Sequence, residues 1–194
     1  MPVVPAILIR EQPMQIDCKI GLLEGVRFVP SPNCDARPHG TEIEVLVIHA
    51  ISLPPGEFGG PGIEQLFCNA LDPEDHFHYR SICELKVSAH LLVRRDGEVV
   101  QFVPLHKRAW HAGESRCEGR ASVNDFSIGV ELEGSDEAPF TPAQYQVLTK
   151  VTRAIMQTYT AITRERIYGH NDIASERKTD PGPNFDWARY LESL

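Results

Sequence analysis

The sequence predicts a single α/β domain in which helices flank a central mixed β-sheet. Its 194 residues are an ordinary length for one domain. Short apolar runs alternate with stretches of helical periodicity, which is typical of a sheet covered by helices. One pair of apolar runs is joined by Asp96-Gly97, a good hairpin signal, so the sheet is expected to contain an antiparallel pair.

Five apolar runs are predicted to be strands because they are short and end at turn-forming or polar residues. The first is compact and rich in branched residues, carries His49 near its carboxyl end and is followed by a Gly/Pro loop at 53–62. The five runs are residues 44–52, 86–95, 98–105, 126–134 and 166–170.

The run at 126–134 alternates between apolar and polar side chains. Because successive strand residues point to opposite faces, its apolar positions are expected on one face and its polar positions on the other. The apolar positions are Ile128, Val130 and Leu132, and the polar face carries Ser127, Gly129, Glu131 and Glu133.

Three helices are predicted, and the second has the clearest signals. Thr141 is a good N-cap, Pro142 suits the first helical position, and Gln144 completes a capping box. Its apolar stripe has helical spacing and contains Leu148, Val151, Ile155, Tyr159 and Ile162. The other two are a short helix at 63–71 and a C-terminal helix within 185–194, which Asp186 is expected to cap.

Composition and charge exclude several classes of function. The net charge of −8 argues against nucleic acid or an anionic membrane surface as the main partner. Five cysteines, an odd number without close spacing, fit neither a disulfide framework nor a cysteine-based zinc module. Reduced thiols in the cytoplasm are the simplest interpretation, and secretion with one free thiol remains open.

The N-terminal segment reads as an extension that precedes the domain. It lacks a basic region, and Pro5 interrupts its apolar run, so we do not expect a signal peptide. The chain contains no stretch of about 18 to 20 apolar residues that would span a membrane. We predict an extension at residues 1–25 and one domain at 26–194.

Two of the eight histidines stand at positions where side chains can converge. His49 lies near the end of one predicted strand, and His170 ends another and opens a polar segment that returns Asp180. That segment, HNDIASERKTDPGP, is predicted to be an irregular loop. Imidazole and carboxylate groups are good zinc ligands, and catalytic zinc keeps three protein ligands. These three residues are therefore a candidate zinc site.

Competing interpretations exist for each of these residues. Most histidines are surface or satisfied core side chains, and Asp180 precedes a proline, where aspartate is a common turn former. His76 and His78 form a rival metal pair, although they lie in a surface-like segment without a third ligand at useful spacing.

Glu131 and Lys178 are candidates for proton transfer and charge stabilisation. A carboxylate near zinc-activated water can act as a general base, and the absent side chain at Gly129 leaves space beside Glu131. A cation cannot be a zinc ligand but can stabilise a developing oxyanion. The alternatives are a solvent-facing strand glutamate and a surface lysine.

Five blocks of sequence together resemble the zinc-dependent N-acetylmuramoyl-L-alanine amidases, a superfamily that includes peptidoglycan recognition proteins and phage-type amidase lysozymes. The resemblance runs from about Val26 to the C-terminus and is greatest for cytoplasmic amidases that act on anhydromuropeptides. The blocks are VLVIHAISLPPGEFGGPGI, VSAHLLVRRDGEVVQFVP, RAWHAG, NDFSIGVELEG and GHNDIASERKTDPGPNFDWAR.

The resemblance implies a function and a role for each candidate residue. It implies that His49, His170 and Asp180 bind one zinc ion, that Glu131 accepts a proton and that Lys178 stabilises the transition state. The implied reaction is hydrolysis of the amide between the lactyl group of (1,6-anhydro-)N-acetylmuramic acid and L-alanine, in cell-wall recycling. The implied domain at 26–194 is then the zinc amidase domain, with its zinc site at strand ends and an anhydromuropeptide as substrate.

One position departs from the family pattern. The family commonly has asparagine directly after the first histidine ligand, whereas this chain has Ala50. An asparagine there can hydrogen-bond substrate or orient the ligand, so the change bears on substrate affinity. Two alternatives share the fold: a peptidoglycan-binding sensor without catalysis, and a murein hydrolase that acts on intact wall. A structural or interaction domain with a fortuitously histidine-rich surface is the unrelated alternative.

Overall fold

A six-stranded mixed sheet forms the centre of the protein, seen in a computed structural model that describes residues 13–194. Its strands run in the order β12-β5-β11-β6-β7-β3, and only β6 and β7 are antiparallel neighbours. They are β3 (Arg27–Phe28), β5 (Val45–Ile51), β6 (Leu91–Val93), β7 (Val99–Gln101), β11 (Ser127–Glu133) and β12 (Ile167–Gly169). The predicted single α/β domain with a mixed sheet is confirmed.

Six further strands of two residues form three small antiparallel pairs. They are β1 (Ile16–Asp17) with β2 (Leu22–Leu23), β4 (Cys34–Asp35) with β8 (Arg108–Ala109), and β9 (Arg116–Cys117) with β10 (Arg120–Ala121). In the described part of the chain, four α-helices accompany the sheet: α1 (Gly62–Phe67), α2 (Pro142–Thr158), α3 (His170–Ile173) and α4 (Trp187–Glu192). Short 3-10 helices occur at Phe77–Ser81, Val123–Asp125 and Arg164–Arg166.

The predicted hairpin is present, but both strands are shorter than expected, since the second, predicted at 98–105, spans Val99–Gln101. Strands β6 and β7 pair in antiparallel register around the turn at Asp96-Gly97. The strand predicted at 86–95 is observed only at Leu91–Val93. The backbone N–H of Ser88 donates to the Trp110 carbonyl and not to a strand of the central sheet. The segment from 106 to 125 is mostly irregular.

Strand β11 is buried along its whole length. Its apolar face, with Ile128, Val130 and Leu132, packs in the cluster that contains α2 and α4 side chains. On the opposite face, one alternative for Glu131 was a solvent-facing strand glutamate. That alternative is wrong, since Glu131 is 9% and Glu133 1% exposed, because the irregular segments cover this side of the sheet.

Helix α2 begins with the predicted capping box. The Thr141 hydroxyl accepts a hydrogen bond from the Gln144 backbone, and the Gln144 side chain accepts one from the Thr141 backbone. The helix ends at Thr158, one turn before the predicted stripe ends. Ile162 is nevertheless buried in the same core cluster, because the chain turns back onto it after Tyr159.

The segment before the sheet packs on the domain that follows it. Leu23 is buried in the main core cluster, and Met14 and Ile16 pack against that cluster. The domain boundary at residue 25 stays a prediction, and the part of the proposed extension that covers residues 1–12 lies outside the described residues. Within residues 13–194, the helices are too short or too polar to traverse a lipid bilayer.

Thr141→Ala tests the contribution of the capping box to stability. We expect the free energy of unfolding to fall by about 1 kcal/mol, because the Gln144 N–H and the Arg95 carbonyl lose the same hydroxyl partner. Urea unfolding followed by circular dichroism measures the change. Thr160→Ala, an exposed threonine just beyond the same helix, is the control and should change stability by less than about 0.5 kcal/mol. Equal losses in both variants would contradict the assignment.

Candidate metal and catalytic site

Three parallel strands bring the predicted site residues to one edge of the sheet. In the register between β5 and β11, His49 lies directly opposite Glu131. On the other side of β5, Gly169 of β12 pairs with Ile48, so His170 follows directly beside His49. Because the three strands are parallel, their carboxyl ends meet at the same edge of the sheet. The predicted site at the strand ends requires this arrangement.

The segment from His170 to Asp180 closes on itself. The backbone N–H of Asn171 donates to the Asp180 carbonyl at 2.9 Å, which brings both ends of the segment together. The prediction of a wholly irregular loop is wrong for its first residues, since His170–Ile173 form one helical turn. Asp172 stabilises the start of that turn by accepting from the Gly169 backbone at 2.7 Å.

The side chains of His49, His170 and Asp180 converge on one point. Nδ1 of His170 lies 3.0 Å from Nδ1 of His49 and 3.0 Å from Oδ2 of Asp180. Nδ1 of His49 lies 3.3 Å from the same Asp180 oxygen. Tetrahedral zinc with bonds of about 2.0–2.1 Å places its ligand atoms about 3.3 Å apart. The triangle therefore has the donor types and nearly the spacing that a zinc ion needs.

The electrostatics of these groups favour a bound cation. Burial lowers the pKa of His49 to about 4, so its imidazole is neutral at neutral pH. A carboxylate and neutral imidazole nitrogens at this spacing repel one another, and a cation between them removes that repulsion.

Glu131 is a buried carboxyl group beside this triangle. Its Oε2 is fully buried and has no hydrogen-bond partner among residues 13–194. Burial raises its pKa well above the ordinary value, the negative charge of Asp180 raises it further, and Lys178 partly offsets both. A carboxyl group with a raised pKa and a free oxygen is suited to exchange protons with a reacting group.

The space beside Gly129 is filled by a histidine that the sequence did not single out. A Cβ atom at position 129 would lie 2.4 Å from Cγ of His111, so the glycine makes room for this ring and not for a metal or substrate. Nδ1 of His111 is 2.9 Å from Nε2 of His49. The sequence signal was present in the glycine, but 62 residues separate the two histidines.

The rival histidine pair does not form a metal site. Nδ1 of His76 accepts the backbone N–H of His78 at 3.2 Å and so caps the 3-10 helix Phe77–Ser81. Among residues 13–194, the three-residue metal-type cluster is that of His49, His170 and Asp180. His78 instead lines the cavity over that cluster.

A cavity of about 310 Å³ opens above the site. Four of the five predicted site residues line it, namely Glu131, His170, Lys178 and Asp180, and the fifth, His49, is buried. One wall is apolar, and Trp110 and Ala50 also face the cavity. Its apolar wall consists of Leu53, Leu66, Phe67, Ile82, Leu85 and Val87. A larger groove of about 740 Å³ runs beside Arg177 and contains none of the predicted site residues.

Comparison with known proteins identifies the family. Residues 39–183 match the profile of the N-acetylmuramoyl-L-alanine amidase family. The chain is 57% identical over 170 residues to the 1,6-anhydro-N-acetylmuramyl-L-alanine amidase AmpD of Escherichia coli K12, an alignment that covers 88% of this chain and 92% of that protein. A crystal structure of a selenomethionine AmpD derivative matches with a TM-score of 0.90 and 54% identity, and covers 93% of this chain and 99% of that one.

A more distant relative has been solved with a ligand. Escherichia coli AmiD, in complex with the substrate anhydro-N-acetylmuramic acid-L-Ala-D-γ-Glu-L-Lys, matches with a TM-score of 0.58 and 31% identity, over 81% of this chain and 60% of that one. The family is zinc-dependent in general, and the donor set described above agrees with that property. The fold, the profile match and the relatives together show that this chain belongs to the N-acetylmuramoyl-L-alanine amidase family.

Proposed function

We propose that this protein hydrolyses the amide bond between the lactyl group of 1,6-anhydro-N-acetylmuramic acid and the L-alanine of the stem peptide, in cell-wall recycling. The AmpD relatives carry this specificity in their names, and AmiD has been seen with a substrate of this type. The observation that carries the proposal is the triangle of two imidazole nitrogens and one carboxylate oxygen, 3.0–3.3 Å apart, beside the buried carboxyl of Glu131.

His49, His170 and Asp180 would hold one zinc ion through Nδ1, Nδ1 and Oδ2. When bound, zinc supplies Lewis-acid polarisation of the amide carbonyl and lowers the pKa of water toward about 7. The chain contributes the orientation of these ligands, because each comes from a rigid strand end or from a segment closed by a backbone hydrogen bond.

Glu131 is the proton acceptor in this proposal. As water attacks the amide carbon, the free oxygen of Glu131 takes its proton. The same carboxyl group then passes that proton to the nitrogen of the leaving L-alanine, so the group ends as it began. Its raised pKa supports both steps, since a carboxyl with a pKa nearer neutrality both takes and returns a proton readily.

Lys178 is the proposed stabiliser of the oxyanion. It lines the cavity with Glu131 and Asp180, and its positive charge acts on both Glu131 and His49. An ammonium group near the carbonyl oxygen gains interaction energy as negative charge develops there, and so lowers the barrier of the attack. The apolar wall and Trp110 provide contact surface for the sugar and peptide.

We propose the cytoplasm as the compartment. The five cysteines, all within the described residues, are unpaired, as expected where thiols stay reduced. An anhydromuropeptide that is already released from the wall is also a small diffusible substrate, which suits a cavity of this size.

Asp180→Ala tests the metal site. We expect about one zinc per chain by elemental analysis for the unchanged protein and less than a tenth of that for the variant, because two histidines alone hold zinc weakly. Release of L-alanyl peptide from anhydromuropeptide, followed by chromatography, should be lost with the metal. Asp75→Ala, an exposed aspartate elsewhere, is the control and should keep both properties.

The same assay separates the alternatives. Zinc binding without cleavage by the unchanged protein would favour a peptidoglycan-binding sensor, unless Ala50→Asn restores cleavage and so assigns the defect to that position. Cleavage of intact wall at a rate equal to that of anhydromuropeptide would favour a wall hydrolase and contradict a role in recycling.

Glu131→Gln tests the proton acceptor. We expect kcat to fall by about 10²- to 10⁴-fold with zinc content unchanged, because the amide keeps the shape of the side chain but cannot take the proton. Loss of zinc together with activity would contradict the assignment, as would a kcat within about threefold of the unchanged protein.

The raised pKa of Glu131 also predicts a pH-dependent stability difference in zinc-free protein. In the unfolded chain the carboxyl loses its proton near pH 4.3, whereas the folded chain keeps it to a higher pH. Stability contributed by this group is therefore complete below about pH 4.3 and is lost as the pH rises toward the folded pKa. Glu131→Gln lacks this loss. The difference between its unfolding temperature and that of the unchanged protein should therefore grow in favour of the variant as the pH rises through that window. Calorimetry measures both temperatures.

Lys178→Met tests the oxyanion stabiliser. We expect kcat to fall by about 10²- to 10³-fold with a smaller change in KM, since the interaction strengthens in the transition state. Zinc content should be unchanged because the lysine is not a ligand. Lys107→Met, an exposed lysine outside the cavity, is the control. A change in KM alone would show that Lys178 only binds substrate.

A further inference from the structure

His111 is a buried histidine that the proposed reaction does not use. Its ring lies between the ligand His49 and the central strand: Nδ1 is 2.9 Å from Nε2 of His49, and Nε2 is 3.1 Å from Oγ of Ser127. Both ring nitrogens thus have a partner, and His111 is only 9% exposed. A buried histidine of this kind can be simple packing, or it can control the state of the histidine that it contacts.

The direction of these hydrogen bonds follows from Ser127, the last side chain in the series. The Ser127 hydroxyl lies 2.7 Å from the Val123 carbonyl and donates its single proton there. Ser127 can then only accept from His111, so the proton of the His111 ring is on Nε2. Nδ1 of His111 carries a lone pair and accepts from Nε2–H of His49. His49 is therefore left with its lone pair on Nδ1, the atom that faces His170 and Asp180.

The second histidine ligand, His170, contacts Ala112, the residue that follows His111. Nε2 of His170 lies 3.2 Å from the Ala112 carbonyl, which can only accept, so a His170 ring that donates there has its lone pair on Nδ1, as zinc binding requires. The side-chain oxygen of Asn124 accepts the backbone N–H of His111 at 3.1 Å and that of Ala112 at 2.8 Å. One pair of neighbouring residues, held by Asn124, therefore offers an acceptor to the Nε2 atom of each histidine ligand.

Strand β11 is built to hold this arrangement. Its residues Ser127, Gly129 and Glu131 share one face. Ser127 ends the hydrogen-bonded chain, and Gly129 leaves the space that the His111 ring occupies, since a Cβ there would lie 2.4 Å from the ring. Glu131, two residues further on, is the proposed proton acceptor. The same strand face thus supports the ligand and carries the base.

We propose that His111 is a positioning residue that, with Ser127, fixes His49 in the tautomer whose Nδ1 is free to bind zinc. The inference rests on the proposed function only in taking His49 as a zinc ligand. Groups that orient a metal-binding histidine through its other nitrogen commonly affect metal affinity about 10- to 100-fold. The hydrogen bonds that link Val123, Ser127, His111 and His49 would orient His49 in this way.

The experiment compares His111→Phe with His111→Asn in the full chain. Phenylalanine keeps a ring in the space beside Gly129 but removes the acceptor, whereas asparagine places an oxygen acceptor close to the position of Nδ1. Zinc dissociation constants are measured by competition with a chromogenic chelator. We expect His111→Phe to weaken zinc binding about 10- to 100-fold and His111→Asn to recover most of that loss. Ser127→Ala should weaken binding in the same direction but less.

A second readout does not depend on zinc. Long-range ¹⁵N–¹H spectra of the histidine rings in zinc-free protein report directly which nitrogen carries the proton. We expect His49 of the unchanged protein to be protonated on Nε2 and His111→Phe to populate the other tautomer. Thr152→Val is the matched stability control, because it removes a buried hydroxyl that contacts Tyr190 at 2.6 Å on the opposite side of the sheet. It should change neither readout.

The outcomes separate this inference from the proposed function. An unchanged dissociation constant and an unchanged His49 tautomer in His111→Phe would overturn the inference and leave His111 as packing. A failure of the unchanged protein to bind zinc would overturn the proposed function, while the ring spectra would still decide the tautomer.

Discussion

The parallel pairing of β5 with both β11 and β12 is the constraint on which the rest of the site depends. It sets His49 directly opposite Glu131 and makes His170 the next residue after the strand on the other side. Because side chains alternate along a strand, a register shift of one residue would turn each group to the opposite face. The core enforces the register, since Leu46 and Ile48 of β5 and Ile128 of β11 are fully buried on the helix-covered face.

The polar face of β11 shows how one strand can carry both a structural and a chemical carboxylate. Glu133 accepts hydrogen bonds from the Arg94 side chain and from the Gly59 and Arg95 backbones, so its charge is fully compensated. Glu131 has a buried oxygen without a partner, and its pKa is raised. A buried carboxyl group without a hydrogen-bond partner costs stability, and its position beside two histidines agrees with the role of proton acceptor proposed for it. Both glutamates occupy the same face of the alternating strand, so the sequence pattern could not distinguish them.

Local sequence signals predicted most of the fold because the relevant interactions are short in range. The capping box of α2, the hairpin at Asp96-Gly97 and the alternation of β11 each depend on residues within a few positions of one another. The convergence of His49, His170 and Asp180 could be inferred from strand ends and from resemblance to a family. Their distances could not, since residues 121 positions apart meet only through sheet pairing.

The errors of sequence interpretation share a physical cause, because in each case an irregular segment of the protein covers the residue concerned. The solvent-facing alternative for Glu131 arose because nothing in the alternation reveals what covers the second face of a sheet. The space at Gly129 looked available for a ligand because the residue that fills it, His111, lies in an irregular segment with no periodicity. In each case a long-range contact by non-repetitive backbone decided the environment of a side chain that the local pattern had placed correctly.

Each proposed zinc ligand is held by a separate set of protein contacts. His49 is fixed through His111, His170 through the Ala112 carbonyl, and Asp180 through the backbone bond from Asn171 that closes its segment. Two of these three supports come from neighbouring residues in one irregular segment, which Arg177 joins to the segment of Lys178 by bonding to the Ala112 and Glu114 carbonyls. The geometry of the site is therefore determined by hydrogen bonds between loops laid over a rigid sheet. Substitutions in that segment should act on ligand orientation even where they touch neither zinc nor substrate.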